Sequence, residues 1–209
     1  MVARFTTIGH SSRNLDEFLD MLREAQVKLL VDVRSFPRSR TNPVFNIDSL
    51  PNDLADAQIG YRHSPALGGR RSKQSGIEET TNAMWRVRSF HNYADHALGD
   101  EFSEVFDGLL RLGRHQRVAL MCSEAVWWRC HRRIIIDYLL LEWSRRRSSD
   151  GARSYRPSYT NARSAENSAG KGRLSRSPRV IVARLNKENS VRRTLFERTK
   201  TTDRARVSG

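Results

Sequence analysis

The sequence of 209 residues has two cysteines, and no apolar run approaches the ~20 residues that span a bilayer. Two cysteines are too few for a disulfide scaffold. The N-terminus lacks the long apolar stretch of a secretory signal peptide, so we expect a cytoplasmic protein with reduced thiols and no membrane partner. No period of 20–50 residues repeats, which argues against a solenoid.

Acidic residues are scarce in the C-terminal third. The whole chain has 37 Lys+Arg and 23 Asp+Glu, a formal net charge of +14. Residues 1–143 hold 19 basic and 18 acidic residues, whereas residues 144–209 hold 18 and 5. All histidines, cysteines and tryptophans lie in the first part. The sequence therefore predicts a near-neutral domain over residues 1–143 and a separate basic tail over residues 144–209.

The tail is rich in Arg, Ser, Gly and Asn and poor in aliphatic residues. Such a composition predicts disorder, because little apolar surface is available to offset the ordering entropy. Residues 179–185 are the one stretch of the tail that suits a strand or a helical turn. Two explanations stay open. The tail is genuine and binds the phosphates of nucleic acid non-specifically, or the C-terminus is aberrant and was produced by a frame shift.

Strand and helix patterns alternate along residues 1–143. Short β-branched or continuous apolar runs predict strands at 3–8, 28–33, 59–63 and 118–122. Helical spacing predicts helices at 15–25, near 49–57 and around 134–141, and another that contains Phe102 and ends at about 112. Long loops are predicted at 34–46 and 64–89. This alternation predicts a single compact α/β domain with a mostly parallel sheet of about four strands flanked by helices.

Polar residues follow every predicted strand. They are His10 after the first, Asp32 and Arg34 at the second, His63 at the third, and Cys122 and Glu124 at the fourth. Each one alone is also explained by an ordinary polar turn or a local ion pair. Because the carboxyl ends of parallel strands meet at one edge, we expect these groups to converge on one site.

Two cysteines and a histidine lie in the segment that joins the last strand to the closing helix. In a catalytic interpretation, Cys122 or Cys130 is a nucleophile whose pKa falls below about 8.5. The groups that would lower this pKa are Arg129, His131, Arg132 and, for Cys130, the start of the helix. In a structural interpretation, Cys122 is a buried small hydrophobe at the end of a core strand, and Cys130 simply opens the helix.

A metal interpretation uses the same three side chains. Cys122, Cys130 and His131 would bind zinc, with His10 or His63 as a fourth ligand. The spacing is not that of a common zinc module and no CxxC pair is present, so this interpretation is the weaker one.

Arginines recur beside these groups. They are Arg34, Arg38 and Arg40 in one loop, Arg70 and Arg71 after two glycines, and Arg129, Arg132 and Arg133 around the second cysteine. Forked donors beside a glycine turn and a helix start are suited to phosphate. The other explanation is a set of solvated arginines that balance the acidic residues. Neither a P-loop nor a dinucleotide-binding motif occurs.

At these residues the sequence resembles the domain of unknown function 488 family, over about residues 3–142. The matching stretches are TIGHS (7–11), LLVDVRSFPRSRTNPVFN (29–46), YRHSPALGGR (61–70), the region of Trp85, Phe90 and Tyr93-Ala94-Asp95, and VALMCSEAVWWRCHRRII (118–135). The resemblance implies a compact α/β domain and assigns no activity. Its motif-bearing positions are His10, Asp32, Arg34, His63, Arg70, Cys122, Glu124, Cys130, His131 and Arg132. Family members usually continue past the last helix into another strand, whereas this chain becomes rich in Arg and Ser.

We therefore expect an enzyme-like site at the carboxyl edge of the sheet, acting on a nucleotide, a nucleic acid or another anionic substrate. The catalytic candidates are Cys122, Glu124, Cys130, His131 and His10. The anion-binding candidates are Asp32, Arg34, His63, Arg70 and Arg132. A second hypothesis is a non-catalytic nucleic-acid-binding or regulatory module, and a third is a zinc-stabilised structural protein. The sequence identifies no cofactor and no oligomeric state.

Overall fold

The computed structural model describes residues 4–149. The first three residues and residues 150–209 lie outside this range. The predictions for most of the basic tail, including a strand or helical turn at 179–185, therefore concern residues outside the described ones.

Within the described range, four strands alternate with five α-helices. The strands are β1 (Phe5–Gly9), β2 (Leu29–Asp32), β3 (Gly60–His63) and β4 (Val118–Cys122). The helices are α1 (Leu15–Glu24), α2 (Leu50–Asp56), α3 (Arg88–His96), α4 (Asp100–His115) and α5 (Arg132–Ser149). Every strand pair is parallel, and the strand order is β1-β4-β2-β3. The predicted α/β class with a four-stranded parallel sheet is confirmed.

The two central strands are buried on both faces because helices cover both sides of the sheet. Successive side chains of a strand point to opposite faces. Met121 and Leu30 thus join the core formed with α1 and α2. Leu120, Val31 and Cys122 join the core formed with α3, α4 and α5. This double coverage explains the continuous apolar runs that the sequence shows at β2 and β4.

Two helices differ from the sequence prediction. Helix α3 was not predicted, because its inward face includes the buried polar side chains of Asp95 and His96. Helix α5 continues to Ser149, six residues past the predicted domain boundary at 143. The change in composition therefore begins inside the last helix and does not mark its end. None of the helices in the described part of the chain is long and apolar enough to cross a membrane.

A glycine at the end of β1 allows the loop after β4 to pass close to it. A Cβ atom at Gly9 would lie 1.9 Å from the backbone oxygen of Glu124. This contact places the first strand end directly beside the segment that carries the cysteines.

We expect Gly9→Ala to destabilise the protein by about 1–3 kcal/mol, because backbone atoms must move to admit the methyl group. Urea unfolding measures the change. Gly108→Ala is the matched control: it lies inside α4, the nearest atom to its Cβ is 3.8 Å away, and alanine favours the helix. Equal unfolding midpoints for Gly9→Ala and the wild type would contradict the close packing.

Candidate active site

A cavity of about 550 Å³ opens at the carboxyl edge of the sheet. Residues from all four strand ends or the loops after them reach this region. The cavity is lined by Cys122, Glu124, Cys130 and His131 from β4 and the segment after it, and by His10, Arg34 and Arg70 from the loops after β1, β2 and β3. The convergence expected from the sequence is present for these seven residues. Asp32, His63 and Arg132 do not line the cavity.

The two sulfur atoms and the His131 ring form one compact cluster. Sγ of Cys122, Sγ of Cys130 and a ring nitrogen of His131 all lie within 4.8 Å of one another. Nδ1 of His131 is 3.4 Å from Sγ of Cys130. Nε2 of the same ring is 3.0 Å from the carbonyl oxygen of Val33, to which it donates. Because a carbonyl is an acceptor, this bond fixes the hydrogen on Nε2 and directs Nδ1 toward the sulfur.

The environments of the two thiols differ. A hydrogen bond with Cys122 and the nearby Arg132 lower the pKa of Cys130 despite its burial. The same hydrogen bond, together with burial, raises the pKa of Cys122. The cluster therefore favours one thiolate, on Cys130. The direction for Cys130 agrees with the expectation that one thiol ionises readily.

His131 is held by residues that pack against its ring. A Cβ atom at Gly69 would lie 2.3 Å from Nδ1 of His131, so only glycine fits against this ring. The ring of Tyr93, from α3, lies 5.0 Å from the His131 ring. The hydroxyl of Tyr93 donates to the carbonyl oxygen of Leu67 at 2.9 Å. The helix that was not predicted from the sequence thus helps to position the cluster.

Arg132 is fully buried and positions the cluster. Its guanidinium group donates to Oγ1 of Thr7 at 2.9 Å and to the carbonyl oxygens of Ile8 and Glu124. Its Nε lies 3.4 Å from Sγ of Cys130. The expectation that Arg132 binds the anion is not met, because its donors are directed at protein acceptors and it does not reach the cavity.

Asp32 is also fully buried, and its carboxylate binds Arg34. Nη2 of Arg34 lies 2.6 Å from Oδ2 of Asp32, and the Tyr61 hydroxyl donates to the same oxygen at 2.7 Å. Asp32 therefore compensates the charge of Arg34 and does not contact the cavity. The sequence predicted that Asp32 takes part in binding the anion, whereas in the structure its carboxylate positions Arg34.

His10 and His63 both form hydrogen bonds with Arg34. Nδ1 of His10 donates to the carbonyl oxygen of Ser11 at 3.1 Å, which leaves Nε2 to accept from Nη1 of Arg34 at 3.3 Å. Burial and the Arg34 charge lower the pKa of His10 and favour its neutral form. Nε2 of His63 donates to the carbonyl oxygen of Arg34 at 2.9 Å. With their Nε2 atoms engaged by Arg34 in this way, neither histidine joins the cysteine cluster as the fourth zinc ligand that the sequence suggested.

Comparison with known proteins places the chain in a family. The model of the domain of unknown function DUF488 matches residues 14–139. The chain belongs to this family. No curated protein and no solved structure matches it. The resemblance seen in the sequence motifs is confirmed, and the DUF488 assignment carries no reaction or substrate with it.

Exposed arginines give the cavity of this DUF488 protein a positive lining. Arg38, Arg70 and Arg129 are exposed and line it, together with Glu124. Arg38 forms an exposed ion pair with Asp48 at 2.6 Å. Within residues 4–145, neither Arg70 nor Arg129 pairs with a carboxylate. Arg38 and Arg129 are not among the site residues predicted from the sequence, although both belong to its arginine-rich stretches.

An exposed aromatic ring lies beside these charges. Phe36 lines the cavity with 67% of its surface exposed, and the guanidinium carbon of Arg70 lies 5.3 Å from its ring centroid. Phe36 belongs to the loop after β2 and was not singled out from the sequence. An aromatic face next to unpaired arginines is suited to a ligand that carries both a planar ring and phosphate.

Proposed function

We propose that the protein is an enzyme that binds an anionic, phosphate-bearing substrate in this cavity and transforms it at the Cys122–Cys130–His131 cluster. The observation that carries the proposal is that unpaired arginines and the cysteine–histidine cluster share one cavity. Nucleotides and nucleic acids are the substrate class that we expect first. The exposed ring of Phe36 supports that class, because bases stack on aromatic side chains.

Substrate binding is assigned to the exposed arginines. The charge of Arg34 is already compensated by Asp32, so Arg70 and Arg129 are the cations available to an incoming anion. The loop that carries Arg70 is fixed by a hydrogen bond from its backbone N–H to Oγ of Ser35 at 2.9 Å. Guanidinium groups bind phosphate oxygens through paired N–H donors, which orients the ligand as well as attracting it.

The reacting centre is assigned to the cluster. Cys130 lies just before α5, and the positive end of the helix and Arg132 both favour an electron-rich sulfur there. Glu124 is exposed in the same cavity and is the group that we assign to proton transfer. His10 orients Arg34 and takes no proton in this assignment. The class of reaction is hydrolysis or group transfer on the bound anion.

Titration calorimetry with inorganic phosphate and with ATP tests the binding step. We expect Arg70→Ala and Arg129→Ala each to weaken binding about tenfold, which corresponds to about 1.4 kcal/mol. Arg114→Ala is the matched control, because Arg114 is an exposed arginine in the last turn of α4, away from the cavity-lining residues. Equal affinities for all three variants, or no binding by the wild type, would contradict the proposal.

A panel of phosphate esters and nucleotides tests the chemical step. We expect turnover by the wild type, and loss of turnover with retained phosphate binding in Cys130→Ser. The exposed Phe36 with Arg70 above it also favours the second hypothesis, a module that binds nucleic acid without transforming it. Tight binding of nucleotides with no turnover across the panel would support that module over the enzyme.

A further inference from the structure

We infer that Cys122, Cys130 and His131 bind a zinc ion, with a fourth coordination position directed to the cavity. The inference goes beyond the proposed function, because it depends on the donor atoms of this cluster and not on the identity of the substrate.

The spacing of the donor atoms fits a tetrahedral ion. Zinc binds thiolate sulfur at about 2.3 Å and imidazole nitrogen at about 2.0–2.1 Å, so two such ligands of a tetrahedral zinc lie about 3.5 Å apart. Sγ of Cys130 and Nδ1 of His131 are 3.4 Å apart. Sγ of Cys122 completes the set, with all three donor atoms within 4.8 Å of one another. Small side-chain rotations would bring the third donor to a bonding position.

The outer contacts of His131 are those of a metal ligand. A ligating histidine typically donates its second ring N–H to a carbonyl or carboxylate, which fixes the tautomer and the ring orientation. The Nε2 of His131 donates to the carbonyl oxygen of Val33 at 3.0 Å, so Nδ1 is the atom left for the ion. Gly69 and Tyr93 pack against the ring and hold it in this orientation.

Charge and burial also favour a divalent cation. Both cysteines are buried, at 6% and 4% exposure. Two thiolates and one Zn²⁺ sum to zero charge, so the loaded cluster adds no net charge to the interior. Nε of Arg132 donates to Sγ of Cys130 at 3.4 Å, so this sulfur already faces a positive group and acts as an acceptor. Two sulfur donors and one imidazole select zinc over magnesium and calcium, which prefer oxygen ligands.

Three protein ligands leave one position for a water molecule or a substrate atom. Catalytic zinc sites have this composition, whereas structural sites usually have four protein ligands. Within residues 4–149, the cluster consists of these three side chains, and all three line the cavity that Arg70 and Arg129 also line. An anion held by these arginines would therefore lie beside the open position.

Metal analysis of the purified full-length chain tests the inference. We expect about one zinc per chain after dialysis against metal-free buffer. Loading the metal-free protein with Co²⁺ should give sulfur-to-cobalt charge-transfer bands in the near ultraviolet and the intense visible bands of a tetrahedral ion. The chain has two cysteines, so any such sulfur band comes from this cluster. Wild-type protein with no zinc and no sulfur-to-cobalt band would overturn the inference.

Variants assign the ligands. We expect Cys122→Ser, Cys130→Ser and His131→Ala each to lower the zinc affinity at least tenfold. His115→Ala is the matched control, because this exposed histidine lies at the end of α4 and outside the cavity lining. Circular dichroism shows whether each variant is folded. If a variant is unfolded, the cobalt spectrum of the wild-type protein still tests whether the cluster binds a metal ion. Undiminished zinc affinity in all three variants would also overturn the inference.

Phosphate binding by the same preparations separates this inference from the proposed function. Phosphate binding that depends on Arg70 in a protein without zinc would overturn the zinc site and leave the proposed function standing. Zinc bound by the cluster, with no phosphate binding or with binding insensitive to Arg70→Ala, would overturn the proposed function and leave the zinc site standing.

Discussion

Replacing Arg132 with methionine is expected to lower the free energy of unfolding by about 3–5 kcal/mol. Methionine fills similar space but has no donors. The carbonyl oxygens of Ile8 and Glu124 then lose this donor, at about 1–3 kcal/mol for each buried group left unsatisfied. The hydroxyl of Thr7 keeps its hydrogen bond to the carbonyl oxygen of Leu120 but no longer accepts one from Arg132. Urea unfolding followed by circular dichroism measures the loss, and the melting temperature should fall by about 10 °C.

The adjacent arginine supplies the control for this experiment. Arg133 is half-buried, with its guanidinium carbon 5.0 Å from the centroid of the Trp85 ring. A cation–π contact of this kind contributes about 0.5–1 kcal/mol, so Arg133→Met should cost no more than that. A similar small loss for both variants would show that Arg132 does not hold β1 and the loop after β4 together.

The placement of the cluster follows from the strand order. Strand β4 lies between β1 and β2, although it is the last of the four strands in the sequence. Gly9 pairs with Cys122, and Asp32 pairs with Met121. The residues just after β1 and β2 therefore flank the cysteine-bearing loop on either side. This arrangement brings His10 and Arg34 to the same cavity as Cys130.

The main features of the fold could be predicted from the sequence because they depend on local patterns. The apolar runs at β2 and β4 indicate buried parallel strands, and the polar residues after them indicate the edge of the sheet where a site is expected. Helix α3 could not be predicted in this way. Its inward Asp95 and His96 bind Asn82 and the carbonyl oxygen of Ala66, partners that only the folded chain supplies.

The site was predictable at the level of residue types but not at the level of roles. The sequence places Asp32, Arg132 and Cys130 at the edge without showing where their side chains point. Asp32 and Arg132 turn inward because partners distant in the sequence, Tyr61 and Thr7, meet them there. Cys130 instead lines the cavity. The polar residues at this edge therefore divide into those that line the cavity and those that position other groups.

The basic C-terminal residues are expected to provide most of the non-specific affinity for DNA. Residues 150–209 carry 15 Lys+Arg and 5 Asp+Glu. A chain truncated after Ser149 keeps the whole of α5. If about five of these basic residues contact phosphates, the salt slope for the full chain on duplex DNA is about −4.5, which corresponds to a loss of affinity of roughly 500-fold between 50 and 200 mM salt.

Truncation should therefore weaken binding to a random DNA duplex by at least about 100-fold at 50 mM salt and should remove most of the salt slope. Fluorescence anisotropy of a labelled duplex measures both quantities. The double variant Arg70→Ala/Arg129→Ala in the full chain is the control, since it removes two cavity cations and should change the slope by no more than about 2. If affinity and slope survive truncation, the domain over residues 4–149 is itself the nucleic-acid surface. The non-catalytic binding module would then displace the enzyme as the better account of the arginines at the cavity.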